Sequence, residues 1–280
     1  MAQLFSPLNK ESVLVTTDRP GIVNIPLRFF QVHLHNTEFE EVKDIPLYKF
    51  FTSVKTLSYL ISSKMLFIDR VESWEDKYEN FFLKERFYSR SLNAFIHTDD
   101  VAHAVFGQSW TLLPESDALW RIYSSDKQGI RIKTTSNKLF SAMMVDDECI
   151  ADTWFGKVEY GSLDEINDFI KRECETDGPH IWQQLMPYSQ FMKRTEFAHE
   201  KEFRVIKMLE SKEAANFRNH KRLAYKVEPD SFIDSYLLDP RLSDDEFVRL
   251  KTELVGLGIR PDKISRSQLY DFSPIQIDLN

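Results

Sequence analysis

The run Glu200-Lys201-Glu202-Phe203-Arg204-Val205-Ile206 alternates charged and apolar residues, and only a β-strand gives a period-two pattern two consistent faces. Phe203 and Val205 fall on one face, Glu202 and Arg204 on the other. Residues two apart on a strand point the same way, so the carboxylates of Glu200 and Glu202 are set to converge on one ligand. Like charges that close raise at least one pKa unless a cation intervenes, and Arg204 offers one from the same face. The plainer reading is a solvated edge strand of mixed charge. On either reading the chain must build a sheet.

At 280 residues the chain has room for one large domain or two small ones, with an ample core. Its 42% hydrophobic and 29% charged residues are an ordinary globular balance. With 22 Phe and only 8 Gly, dense aromatic packing is expected rather than glycine-rich ligand loops. A formal charge of −8 argues against a nonspecific polyanion binder. No charged-then-apolar leader follows Met1 and no apolar run approaches a membrane span, so neither secretion nor membrane insertion is expected. Cys149 and Cys174 lack metal spacing and sit among acidic residues, which fits a reduced, cytoplasmic protein.

Periodicity predicts one α+β domain over residues 44–280, with mixed β-sheets flanked by helices, behind an N-terminal extension over 1–43 that contains short extended runs such as Phe29 to Leu34. Leu47-Tyr48-Lys49-Phe50 reads as a strand. A helix near Ser53 to Ser63 follows, with Val54, Leu57, Leu60 and Ile61 on one face and Thr52 or Ser53 as cap. Met65 to Ile68 returns as a strand, and helical periodicity resumes around Asn80 to Ser91. Gly107 to Thr111 is a strand candidate. A short helix after Ser116 places Ala118, Leu119, Ile122 and Tyr123 inward, and Ile130 to Lys133 alternates as a strand. Strand character returns at Val158 to Tyr160, with a helix at Leu163 to Cys174 and a helical stretch near His180 to Glu196 that must bend or break at Pro187. After the Glu202 strand come a strand near Leu223 to Val227 and a β-α-β tail. In the tail Ser243 and Glu246 form a capping box, and Gly256 and Gly258 stop the helix.

No HExxH, CxxC, P-loop, GxGxxG or GxSxG occurs, which disfavours the metalloprotease, nucleotide-hydrolase, Rossmann and hydrolase-elbow chemistries. His33 and His35 share a strand face without a third ligand nearby and read as structural. His199, beside the acidic strand, reads as a loop residue or, less simply, as a base. Three blocks of aromatics, cations and carboxylates remain. They are Tyr48-Lys49-Phe50 with Arg70, Trp74 and Asp76; Trp120 to Ser124; and Glu200 to Arg204. Aromatic faces stack on an adenine or nicotinamide ring, arginine clamps a diphosphate, and a carboxylate holds a ribose hydroxyl. The alternative is that Trp120 and Tyr123 belong to the core.

The order and spacing of these blocks resemble a large bacterial family known only as a domain of unknown function. The resemblance rests on Leu47-Tyr48-Lys49-Phe50; Leu66-Phe67 with Trp74-Glu75-Asp76; Ser116 to Trp120 with Tyr123 and Gly129; Lys193 with Glu200, Glu202 and Arg204; and Ile233 to Arg241. It covers roughly residues 44 to 270. It departs where Phe197 stands for a Trp and Trp74 for a Phe-Asn pair. More distantly, the aromatic strand, helix and strand of Tyr48 to Ile68 and the late Glu-x-Glu resemble DarT-like toxins of the ADP-ribosyltransferase superfamily.

That second resemblance implies an NAD-dependent transferase, with NAD as substrate. Tyr48, Tyr123 or Ser124, and Glu202 would carry its three motifs. Glu202 would stabilise an oxocarbenium-like centre and Glu200 would orient or deprotonate the acceptor. Lys49, Arg70, Trp74, Asp76, Trp120 and Arg204 would line the dinucleotide site. Arg70 or Arg204 would take the diphosphate. Such enzymes are often toxins of toxin–antitoxin or phage-defence systems, so an antitoxin or chaperone partner and a protein or nucleic-acid acceptor are implied. Two other readings stand beside it: a non-catalytic binding or sensor module of a defence operon, and a nuclease using Glu200, Glu202, Asp76 and a divalent metal.

Overall fold

The computed structural model describes residues 32–35, 44–76, 78–79, 87–89, 93–96, 103–145, 151–177, 182–209 and 219–272. The fold is α+β, with mixed multi-stranded sheet flanked by helices. The chain separates into two compact units. One draws on the described parts of Met1–Leu47, Leu66–Leu112 and Thr135–Lys226, the other on Tyr48–Met65, Leu113–Thr134 and the described part of Val227–Asn280.

In the first unit the strands run in the order Val32–His35, Ala151–Lys157, Glu202–Leu209, Val105–Thr111. Met65–Arg70 pairs with the last of these, and Arg222–Lys226 pairs with Met65–Arg70. The first pair is parallel and the next two are antiparallel. Val32–His35, from the stretch read as an extension, thus adds a parallel strand against Thr153 to Gly156.

The Glu202 strand has a neighbour on each side, and seven of its eight residues are buried. It is a central strand, not a solvated edge. Its face Glu202, Arg204, Ile206, Met208 places two charged residues at the end of an apolar row. Ile206 joins a core with Val71, Val105, Ile166, Phe169 and Phe191. Burying each such side chain contributes about 1.5–3 kcal/mol, so this core fixes the strand and holds the charges at its end in place.

The predicted helix near Leu163 forms over Leu163–Asp177, with Ile166, Phe169 and Ile170 buried. The stretch near His180 to Glu196, expected to bend or break at Pro187, leaves the helix after Ser189. Trp182–Ser189 is helical with Pro187 inside it, and the Gln190 N–H donates to the Pro187 carbonyl at 3.1 Å. Proline lacks the N–H and crowds the preceding turn, so the chain leaves the helix there. Met192–Arg194 then pairs in parallel with Glu159–Gly161, and Thr195–Glu200 forms a 3₁₀ turn. Phe87–Ser89, expected to be helical, is a strand paired with Ala94–Ile96. The rest of that expected helix, and Cys149, lie outside the described residues. The helix Ser136–Val145 and the strand Ala151–Lys157 were not anticipated.

In the second unit the strand order is Pro46–Phe51, Ile130–Thr135, Ser235–Leu238, Ile264–Arg266. The last pair is parallel, as the β-α-β tail requires. Ser53 caps Val54–Ser63 reciprocally with Thr56, and Ser243 caps Asp244–Gly256 reciprocally with Glu246. Gly258 ends that helix at φ +88°, where a side chain would be strained. Ile122 and Tyr123 are both exposed, against the expectation that they point inward. The helix Asp117–Tyr123 is only two turns long, and Leu119 and Trp120 take its inner face. Among the described residues no helix is long and apolar enough to cross a membrane.

Candidate active site

In the first unit five charged side chains meet at the start of the Glu202 strand. Lys193 Nζ lies 2.5 Å from Glu200 Oε2, 2.6 Å from Glu202 Oε1 and 2.8 Å from Glu79 Oε1. Arg204 donates through Nε to Glu202 Oε2 at 2.7 Å, through Nη2 to Glu79 Oε1 at 2.6 Å and through Nη1 to the Gln190 carbonyl at 2.6 Å. Its guanidinium also lies 4.7 Å from the Trp74 ring centroid. Gly107 makes room for that ring, because a Cβ there would come within 2.8 Å of it. Arg204 is fully buried, Glu202 is 5% exposed, and Lys193 and Glu79 are buried with them.

Each element sets one member. Lys193 sits on the short strand after the Pro187 break. The turn Thr195–Glu200 carries Glu200 back toward it, and Lys201 at φ 45° turns the chain into the strand. The two carboxylates therefore converge, but not as strand neighbours, since Glu200 lies in the 3₁₀ turn before the strand begins. The Thr111 hydroxyl donates to the Glu200 carbonyl at 2.6 Å, and the Glu202 N–H donates to Tyr160 Oη at 2.9 Å.

Environment drives the two acidities apart. Burial first of all, and then hydrogen bonding with Glu202, pushes Glu200 up to about 7. Burial would raise Glu202 as well, but the Arg204 guanidinium, the hydrogen bond with Glu200 and the Lys193 ammonium outweigh it and hold that carboxyl well below the usual range. Burial would lower Lys193, yet Glu202 and Glu79 reverse the shift and hold it charged. Among the described residues the cluster sets three carboxylates against two cations. Glu200, the least buried, carries the excess.

A pocket opens beside the cluster. Glu79, Lys193, Asp76 and Arg194 form its polar side, and Leu163, Ile166, Met192 and Tyr78 its apolar one. Its empty volume, open solvent included, is about 250 Å³, and the enclosed part is about the size of one water molecule. Arg194 lies 4.4 Å from the Tyr78 ring centroid and 5.2 Å from that of Phe197, and its Nη2 reaches Asp76 at 3.3 Å. Among the described residues no three His, Cys, Asp or Glu are grouped to hold a metal, and the Lys193 ammonium occupies the point where the carboxylates converge.

The other expected site residues divide. Trp74 and Asp76 border the cluster and its pocket. Arg70 is engaged elsewhere in the same unit, donating to the His220 carbonyl at 2.7 and 3.1 Å and meeting His103 Nδ1 at 2.9 Å. His199 is exposed, its Nδ1 3.1 Å from the Glu196 carbonyl. Tyr48, Lys49, Trp120, Tyr123 and Ser124 belong to the second unit. There Arg131 stacks over Tyr48 at 4.6 Å, Phe50 meets Trp120 edge-on at 4.9 Å and stacks on Tyr123 at 5.8 Å, and Lys49 is half buried. Trp120 is fully buried and its indole N–H donates to Glu115, so its ring is core.

Ser124 is part of a latch in that second unit. Its hydroxyl donates to Asp239 Oδ2 at 2.5 Å and accepts the Gly129 N–H at 2.9 Å. Arg241 clamps the same Asp239 through Nε at 2.9 Å and Nη2 at 2.6 Å, and its Nη2 also reaches the Trp120 and Ser124 carbonyls. Gly129 is needed by close approach, since a Cβ there would lie 2.5 Å from that of Ser124.

Residues 119–205 match a family model described as "Protein of unknown function (DUF2971)". The span holds the Trp120, Tyr123, Ser124, Gly129 block and the Lys193, Glu200, Glu202, Arg204 block, bearing out the resemblance to a family of unknown function. No curated protein and no solved structure matches the chain.

Proposed function

We propose that the Lys193–Glu200–Glu202 cluster is the centre of an NAD-dependent ADP-ribosyltransferase. The observation that supports this most is the split acidity of two carboxylates bridged by one ammonium, Glu202 ionised and Glu200 raised to about 7. A pair whose environments drive its acidities apart supplies one fixed charge and one proton carrier.

The bond from ribose C1′ to the nicotinamide nitrogen breaks, and its electron pair leaves with nicotinamide. Positive charge develops on the ribose, and the Glu202 carboxylate stabilises it, as glycosidase carboxylates do. An acceptor nucleophile bonds to C1′ and gives its proton to Glu200, whose acidity suits a general base at neutral pH. The excess of carboxylates over cations favours the cationic nicotinamide ring of the substrate. The acceptor is a protein or nucleic acid, and the resemblance adds growth inhibition and a neutralising antitoxin as the cellular setting.

One observation favours a second reading, a non-catalytic binding or sensor module: both oxygens of Glu202 already meet cations. Incubating the protein with labelled NAD and cell lysate, then digesting the product with protease or nuclease, decides between them. Transfer of label that disappears in folded Glu202→Gln supports the transferase. Removing a paired buried charge also costs stability, so a melt must accompany the assay. No transfer by wild type favours the binding module.

A further inference from the structure

Lys193 is the group that all three carboxylates of the cluster share, and an ammonium has only three N–H bonds to give. Its Nζ lies 2.5, 2.6 and 2.8 Å from Glu200, Glu202 and Glu79, so carboxylates take those three directions. The half-buried ring of Phe197 takes another, with its centroid 4.5 Å from Nζ. The same ring lies 5.2 Å from the Arg194 guanidinium. Phe197 reaches Lys193 through the turn it sits in. Thr195–Glu200 is a 3₁₀ turn, in which residues three apart eclipse, so Phe197 and Glu200 leave it on one side. One ammonium thus receives both, the carboxylate as a hydrogen-bond partner and the aromatic face as a cover that attracts the cation and displaces water.

From this geometry we infer that Phe197 is a positioning residue of the site: its ring keeps water from the Lys193–Glu200 contact and so holds Glu200 as the proton carrier of the cluster. Phe197 is the one large apolar side chain of that turn, and burial does most to raise Glu200. The charged groups facing Glu200 from other elements are Lys193, Glu202 with Arg204 behind it, and Glu79, while Glu196 and His199 share its turn and are exposed. Replacing Phe197 removes none of these charges, so a change in the titration of Glu200 reports the ring. This role rests on the transferase reading only for the use made of the proton.

Carbon-13 NMR of the glutamate carboxyl groups of the full chain follows Glu200 without any substrate, its signal assigned by its loss in Glu200→Gln. Phe197→Ala lets water in and moves the Glu200 titration down by about one pH unit or more, toward that of a solvated carboxylate. Phe197→Trp keeps a ring face over Lys193 and titrates with wild type. If Phe197→Ala fails to fold, Phe197→Leu, smaller and without a ring face, shifts Glu200 in the same direction. An unshifted Glu200 in the folded Ala or Leu variant overturns the inference, and so does an equal shift in Phe197→Trp. The predicted shift without any cleavage of NAD by wild type sinks the transferase reading and leaves the role of Phe197 standing. Where NAD is cleaved, the acid limb of the pH–rate profile moves down with Glu200 in Phe197→Ala, and a limb that stays in place sinks the role of Phe197 alone.

Discussion

The cluster around Glu202 and the latch around Asp239 are built from the same materials, carboxylates and guanidinium groups taken out of water, yet they differ in balance. The latch sets one carboxylate against one guanidinium, and its remaining bonds join a hydroxyl, backbone carbonyls and the backbone N–H groups of Gly129 and Arg241. Burial raises Asp239, but hydrogen bonds from Arg241 and Ser124 outweigh it, and the carboxyl stays below its usual range. Nothing in the latch titrates near neutrality. The cluster carries an extra carboxylate, and Glu200 is left near 7 at its margin. Matched charges staple a turn. An unmatched one can move a proton.

The largest effect expected from breaking either arrangement is in the cluster. Arg204→Ala leaves Glu202 and Glu79 buried with Lys193 as their one remaining cation among the described residues, and loss of one partner of a buried pair costs about 3–5 kcal/mol. Urea denaturation of the soluble variant measures it, and a loss under about 1 kcal/mol would mean the network is not buried as described.

In the latch, Gly129→Ala sets a methyl group against Ser124, at 2.5 Å from its Cβ and 2.6 Å from its Oγ. Such overpacking costs about 1–3 kcal/mol. If the comparison holds, thermal melts fall while ligand affinity per folded molecule stays at the wild-type level. Altered affinity would give the latch a part in the site.

A subtler test uses pH. Glu200 titrates at about 7 in the folded protein against an ordinary 4.5, so between those values the folded state holds a proton that the unfolded state has lost. Stability therefore falls as pH rises through that window and levels off above about 7. Glu202 acts in the opposite sense, with stability lost only as pH drops below the ordinary carboxylate range, so the two windows do not overlap. Glu200→Gln removes the upper window. Against wild type, its stability between pH 5 and pH 8 should change less, by on the order of 1–2 kcal/mol. Parallel profiles would show Glu200 to be an ordinary carboxylate.

The sequence carried much of this. Period-two alternation gave the Glu202 strand, and Ser-x-x-Thr and Ser-x-x-Glu gave both capping boxes, because those signals are local. The convergence of Glu200, Glu202 and Arg204 was legible, although by another route, through a 3₁₀ turn and a left-handed Lys201. Glu79 was not legible at all, since no spacing ties it to residues more than a hundred positions away. Lys193 stood in the family pattern as a bare match, and only the parallel pairing after Pro187 gives it a role. Trp120 and Ser124 looked like ligand groups because aromatic and hydroxyl residues serve cores and sites equally well. Burial separates the two uses, and burial is a tertiary property.

Release of nicotinamide from NAD by purified wild type and by Glu200→Gln, with folding checked by circular dichroism, tests the proposed proton transfer at Glu200 most directly. Gln keeps the shape of the protonated acid but takes up no proton. Wild type is expected to release nicotinamide and the variant to fall by about 10²–10⁴, the contribution of a general base. Equal release by both proteins, or none by wild type, would contradict it.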